Sequence, residues 1–163
     1  MEDLARAAGI TKSSIYHHVR GKEALLRLAV GRALDGLFAI LDEPGSLRGG
    51  AVDRLEHVVH RTAEVLVAEL PYVTLLLRVR GNTETERWAI DRRREFDRRV
   101  AAIVDEAVRD GDLCDDVEPR LVTRLLFGMV NSISEWYRPA RGLRGPEVAD
   151  AVTRIAFDGL RRH

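Results

Sequence analysis

An all-α fold, with a small helix-turn-helix head leading into a helical body, is the fold class that three features of this sequence predict. Residues 4–19 read as helix, tight turn, helix. Beyond them, apolar residues recur at intervals of three and four through successive segments, which is the spacing that builds one buried helix face. Clusters of Gly and Pro around positions 42–50, 111 and 139–145 punctuate those segments. Apolar residues make up 45% of a 163-residue chain, enough for one sizeable core rather than several small ones.

In the opening pattern Leu4, Ala5 and Ala8 form the apolar side of a short helix. Gly9 permits the reversal, Ile10 packs beneath it and Thr11 caps the second helix. In that second helix Ile15 and Val19 fall one turn apart and are expected to face inward, leaving Lys12, Ser13, His17 and His18 outside. Hydroxyls and a long cation near a helix N-terminus suit base edges and phosphates, so the exposed face fits a DNA major groove. The charge agrees locally. Residues 1–34 carry six Lys or Arg against three Asp or Glu, although the whole chain is balanced at 26 of each. A capped helical hairpin with an ordinary solvated face is the plainer alternative for the same residues.

The run Ala8-Gly9-Ile10-Thr11, Ser14-Ile15-Tyr16-His17-His18-Val19 and Lys22-Glu23-Ala24-Leu25-Leu26 resembles the helix-turn-helix signature of TetR-family transcriptional regulators. That resemblance implies that Thr11, Lys12, Ser13, Ser14, Tyr16, His17 and Lys22 divide between base and phosphate contacts. Lys12, Ser13 and His17 would reach base edges, while Thr11, Tyr16 and Lys22 would anchor the backbone. Val19 stands where the family often has phenylalanine. The family has a further helix ahead of this signature, so the resemblance covers the head only from its second helix onward, and exposure of Leu4, Ile15 or Leu25 is expected. Two explanations stay open, with the first preferred: a recorded start downstream of the true one, or a shortened protein that binds DNA weakly or not at all. The second leaves a dimeric ligand-binding or protein-interaction module without operator recognition as the alternative function.

Lys22 is expected to begin a separate connecting helix, with Leu25, Leu26, Ala29, Val30, Ala33, Leu34, Leu37 and Leu41 at helical intervals. The break at 42–50 then divides a head with its connecting helix, 1–41, from an effector-binding and dimerisation body, 42–163. From Ala51 a helix turns Leu55, Val58, Val59, Ala63, Leu66 and Val67 inward. Pro71 begins the next, where Val73, Leu75, Leu76, Leu77 and Val79 are too continuously apolar for a wetted surface. The segment 83–109 sets Trp88, Phe96, Val100, Ile103, Val104, Ala107 and Val108 against a polar face of both signs, in which Arg98 and Arg99 are read as ion-paired with Glu95 and Asp97. After a turn at 116–119, Leu121, Leu125, Leu126, Met129, Val130 and Ile133 form one helix, and Val148, Val152, Ile155, Ala156 and Leu160 the last. Two apolar helices repeated by twofold symmetry make a four-helix interface, and the family resemblance implies a homodimer through them.

A ligand chamber in the body is less sharply written. Phe38, Leu66, Tyr72, Leu76, Trp88, Phe96, Phe127 and Asn131 form a mixed pool of contacts drawn from several helices, most of which serve equally well as core. Arg78, Arg80 and Arg92 are candidates for holding an anionic group at its mouth. Asn131 and Ser134 either orient a ligand carbonyl or satisfy each other. Leu126-Phe127-Gly128-Met129 with Trp136-Tyr137-Arg138-Pro139 resembles, more weakly, the tail of TetR regulators of fatty-acid, steroid or aromatic-acid breakdown. This makes a hydrophobic small molecule the expected effector, with an acyl-coenzyme A thioester preferred over a free hydrophobic acid or an uncharged xenobiotic. The expected partners are therefore double-stranded operator DNA, a second copy of the chain and that effector, with ligand binding shifting the spacing of two heads and relieving repression.

Other classes explain less. Tyr72 lacks a nucleophile-base arrangement and Cys114, the one cysteine, has no local histidine partner and no partner for an intrachain disulfide. His57 and His60 are near one helical turn apart, with Glu56 and Glu64 beside them, but three metal ligands on one face are not evident. Glu84, Glu86, Asp91 and Glu95 read as a solvated face. No enzymatic activity, cofactor or metal is expected. No apolar stretch of the roughly 18 residues a membrane span needs is present, nor a signal-peptide pattern, and a cytoplasmic location is expected.

Overall fold

The computed structural model describes the backbone of residues 12–160 and the side chains of residues 17–159, and the described part is helical without strands. Its seven α-helices are α1 (Lys12–Leu41), α2 (Pro44–Leu47), α3 (Ala51–Ala68), α4 (Leu70–Arg78), α5 (Glu84–Arg109), α6 (Pro119–Trp136) and α7 (Gly145–Leu160), with a 3-10 turn at Pro139–Arg141.

The first departure from expectation is that α1 runs unbroken from the recognition segment into the body, about 45 Å at 1.5 Å per residue. Lys22 does not start a helix. Gly21 costs a helix about 1 kcal/mol relative to alanine, but the strong helix formers Lys22, Glu23, Ala24, Leu25 and Leu26 follow it directly and carry the helix through. Along this rod Val19, expected inward, is 54% exposed, and Leu25, expected outward, is 68% exposed. From Val30 onward the helix enters the core through Val30, Ala33, Leu34, Leu37 and Ile40.

At the corner beyond α1, the expected irregular break contains α2. Ser46, buried, donates its hydroxyl to the Ile40 carbonyl at 2.6 Å and folds this turn back on α1. Gly45 is needed there for space, since a Cβ at that position would stand 2.5 Å from His57 Nδ1.

The central helix is α3, which packs on α1, α5, α6 and α7, burying Leu55, Val58, Val59, Thr62, Ala63 and Leu66. The long α5 starts at an N-cap, Thr83, whose side chain accepts the Glu86 N–H. It buries Ala89, Phe96, Val100, Val104 and Ala107, and Arg54 of α3 reaches Glu106 at 2.6 Å. Glu118 caps α6 by accepting the Leu121 N–H, with Pro119 in the first turn where its missing N–H is harmless. Both of the apolar stripes on α6 are helical in spacing, but only Val122, Leu126, Phe127, Val130 and Ile133 are buried. Leu121, Leu125 and Met129 face out, as do Leu75 on α4 and Ile155 on α7.

Candidate functional site

Two regions carry the functional expectations, the recognition segment at the start of α1 and a chamber in the body. Thr11 lies outside the described residues, as do the side chains of Lys12, Ser13, Ser14 and Tyr16, whose backbone forms the first turns of α1. His17, His18 and Lys22 are exposed on the same helix.

A series of contacts seats the following turns of α1 on α4 and α5. Glu23 accepts the backbone N–H of Thr85 at 3.1 Å, so a side chain next to the recognition segment caps α5. Hydrogen bonds from the Thr83 and Thr85 side chains, together with this N–H, hold the Glu23 carboxyl below the usual carboxylate range. Four residues on, the Arg27 guanidinium lies over the Trp88 ring at 3.5 Å. Arg32 then makes a forked pair with Glu69 at 2.7 and 2.9 Å and covers Tyr72. In the loop before α5, Glu86 collects the backbone N–H groups of Arg80, Gly81 and Asn82 at 2.8 to 3.0 Å, and these bonds hold its carboxyl low. Gly81, at φ +92°, allows the loop to turn its amides inward.

The chamber, about 900 Å³, lies among α3, α4, α5 and α6, with Leu37 contributed by α1. Leu37, Leu66, Val73, Leu76, Leu77, Phe96, Ala101 and Phe127 form its apolar walls, while Arg93, Asp97, Arg98, Asp105, Glu118, Arg120, Arg124 and Asn131 bring polar groups. Thr62 and Thr123 also line it, but their hydroxyls are spent on the carbonyls of Val58 and Pro119. Arg93 makes a long 3.5 Å contact with the Leu76 carbonyl, and burial lowers its guanidinium pKa. Enclosure by the chamber walls raises the Asp97 carboxyl, opposed by the charges of Arg93 and Arg124, even though the chamber's opening leaves Asp97 accessible to solvent.

Of the expected ligand residues, Leu66, Leu76, Phe96, Phe127 and Asn131 line this chamber. The others are placed elsewhere. Phe38 packs edge-on against Phe96, 5.9 Å between centroids, and its outer side is covered by Arg92, which also pairs with Glu95. Trp88 and Tyr72 are occupied by Arg27 and Arg32. Arg78 and Arg80 stand outside the lining, at the end of α4 and in the loop after it. The chamber's cations are instead Arg93, Arg98, Arg120 and Arg124. A solvated ion pair was the expectation for Arg98 as well as Arg99, but Arg99 is the one that binds Glu95, at 2.7 Å, and Arg98 turns to the chamber. The stretch 92–99 holds Arg92, Arg93, Arg94, Arg98 and Arg99, of which only Arg93 and Arg98 line the chamber. Helical spacing on a face so rich in one residue type does not single those two out.

The remaining candidates turn to partners outside the chamber. His57 Nε2 meets Glu43 at 2.7 Å and His60 Nε2 meets Asp150 at 2.8 Å, so the two histidines point to different elements. Among the described residues no three His, Cys, Asp or Glu side chains gather as a metal site. Burial pushes the Cys114 thiol pKa up, away from the thiolate. Ser134 donates to the backbone carbonyl of Asn131 at 2.7 Å, not to its amide, so the amide is not spent on that hydroxyl. No helix among the described residues is long and apolar enough to cross a membrane. On the outer side, Leu121, Leu125, Met129 and Trp136 of α6 and Ile155 of α7 are exposed apolar residues on two helices that touch each other.

Comparison with known proteins agrees with this arrangement. Residues 1–29 match the family model described as bacterial regulatory proteins, tetR family, and residues 48–160 match the tetracyclin repressor-like C-terminal domain. The chain is 28% identical over 163 residues to the HTH-type transcriptional repressor KstR2 of Rhodococcus jostii, covering 98% of this chain and 80% of that protein. Among solved structures it resembles SCO3833, a TetR-family member from Streptomyces coelicolor A3, at 65% identity and a TM-score of 0.82, covering 99% of this chain and 82% of that one. It also shares its fold with AibR, solved in complex with isovaleryl coenzyme A and operator DNA, at 23% identity and a TM-score of 0.72, covering 95% of this chain and 85% of that one.

Proposed function

The chain belongs to the TetR family of bacterial transcriptional regulators, and on that premise we propose that it is a repressor that binds operator DNA as a homodimer and is released by a hydrophobic small molecule. The observation that carries this reading is the placement of the chamber. Leu37 puts α1 itself in the chamber wall, and α5, which supplies Arg93, Phe96 and Asp97 to that wall, is capped at its N-terminus by Glu23 of α1. A ligand that favours one arrangement of α5 therefore acts on the helix that carries the recognition segment.

Two such helices in a dimer must meet half-sites about 34 Å apart or at another compatible spacing. An effector that binds better to a differently spaced pair lowers operator affinity by population shift, without competing for DNA. The exposed apolar residues of α6 and α7 support a twofold interface. In the recognition segment, Lys12, Ser13 and His17 are assigned to base edges and Thr11, Tyr16 and Lys22 to the backbone, with Ser14 a further DNA contact. The protein would act in the cytoplasm, where the DNA is.

For the effector, an acyl-coenzyme A thioester remains the preferred class. Its acyl part suits the apolar walls, and Arg98, Arg120 and Arg124, rather than Arg78, Arg80 and Arg92, are the cations of the chamber available to an anionic group. The test is fluorescence anisotropy with DNA flanking the native coding region, titrated at fixed salt with and without a panel of acyl-coenzyme A thioesters and their free acids. Sequence-selective binding that weakens with a panel member is expected. Binding that no panel member alters would remove the effector assignment, and binding without sequence preference would remove the operator assignment.

A further inference from the structure

Three acidic residues of α5 pair with arginines of the same helix, Asp91 with Arg94, Glu95 with Arg92 and Arg99, and Asp105 with Arg109, while Glu106 pairs with Arg54 of α3 and Glu86 accepts backbone N–H groups. Asp97 differs. It lies on the chamber wall one turn after Arg93, and the charges of Arg93 and Arg124 reach it through space, but no cation among the described residues closes on it as an ion pair. Among the described residues, Arg93 makes no hydrogen bond beyond the long contact with the Leu76 carbonyl. Two opposite charges thus stand side by side on the wall, close to Phe96 and Leu76, each with hydrogen-bonding capacity left over.

While the chamber is open, water serves both groups. An occupant expels that water, and one that is apolar along its whole length leaves a carboxylate and a guanidinium facing hydrocarbon, a state that costs more than the contacts return. A neutral group that both donates and accepts resolves it, donating its proton to an Asp97 oxygen and accepting from an Arg93 nitrogen. An anionic group at the same place would meet the like charge of Asp97, so the effector's head belongs elsewhere in the chamber.

We propose that the chamber selects effectors whose apolar body carries a neutral hydrogen-bonding group, a hydroxyl being the simplest, positioned against Asp97 and Arg93, and that it discriminates against the unsubstituted hydrocarbon. This rests on the reading of the chamber as the effector site. The selectivity follows from the rule that a site with polar groups to satisfy rejects the analogue lacking the partner more strongly than an apolar pocket rejects a misfit.

The test is calorimetric titration of the full chain with dodecanoic acid and a positional series of monohydroxydodecanoic acids, repeated with their coenzyme A thioesters. At least one hydroxylated isomer should bind about tenfold tighter, or more, than the unsubstituted chain. In Asp97→Leu that preference should collapse, and the unsubstituted chain should bind tighter than it does to the natural protein. Asp97→Asn, which keeps the size of the side chain, should show an intermediate preference and carries the test where the leucine variant does not fold. Unsubstituted chains that bind the natural protein as tightly as every isomer, or a preference that survives in both variants, would overturn the selectivity while leaving the chamber as the effector site. Failure of every compound to bind would overturn both.

Discussion

Replacing Leu125 with glutamate tests the proposed dimer most directly. Leu125 is 60% exposed in the single chain, in the middle of the outer apolar stripe of α6. Fully burying a leucine side chain contributes about 1.5 to 3 kcal/mol, so covering the exposed part contributes about 1 to 2 kcal/mol per copy. Twofold symmetry places two copies in the interface, about 2 to 4 kcal/mol together. Because about 1.4 kcal/mol is a factor of ten, loss of that burial alone weakens association by roughly 30-fold to several hundred-fold. Glutamate adds two charges that must lose water on association, each costing several kcal/mol more unless paired. The expected result in sedimentation velocity over a range of concentrations is a natural protein at twice the 18.3 kDa chain mass and a Leu125→Glu variant at the chain mass, with unchanged helical circular dichroism. Leu47→Glu is the control, since Leu47 is as exposed, at 63%, but sits on α2, which packs on α1 and α3. Equal dimer dissociation constants for Leu125→Glu and the natural protein would refute the assignment of this face.

Three further outcomes are expected. Lys22→Ala, at an exposed position assigned to a phosphate, should weaken operator binding about equally for all sequences and reduce the slope of log K against log salt by about one; an unchanged slope in anisotropy titrations would reassign the residue. Glu23→Gln removes the charge that caps α5 from α1, and the ratio of operator affinities without and with effector should shrink by about fivefold or more while dimerisation persists; an unchanged ratio would separate this contact from signalling. Arg61, and after it His57, hold the Glu43 carboxyl below its ordinary range, against the opposing effect of burial. A lowered folded-state pKa adds stability above the unfolded carboxylate value, near 4.3, that is lost as pH falls through the folded value. Thermal melting should therefore be insensitive to Glu43 ionisation near neutrality and fall in acid, and Glu43→Gln should melt lower at pH 7 and lose less on acidification; parallel acid profiles for the two proteins would exclude this contribution.

Much of the fold was legible because helix periodicity and breakers act over a few residues. The inward lines of α3 and α5, the first turn of α4 at Pro71 and the presence of α6 beyond the turn at 116–119 all follow from local spacing and capping, although α6 takes in Pro119 itself. The recognition signature was legible for a similar reason, since its pattern lies within one short stretch of sequence. Continuity of α1 through Gly21 was not, because one glycine's propensity cost is small enough for its neighbours to override.

The chamber shows where local reading ends. Phe38, Phe96 and Phe127 are all aromatic residues on helical spacings, yet Phe96 stands between the other two and only Phe96 and Phe127 reach the cavity. Leu125 and Leu126 are adjacent and chemically identical, but one is exposed and the other buried, because neighbouring helix positions point about 100° apart. By itself the sequence determined which long segments are helical, where most of them stop and that the head resembles a DNA reader, since those depend on contacts between near neighbours. Only the tertiary structure decided which side of α6 stays uncovered, which arginines of α5 face the chamber and that Glu23 caps Thr85, since these contacts join residues far apart in the chain through the way the helices pack.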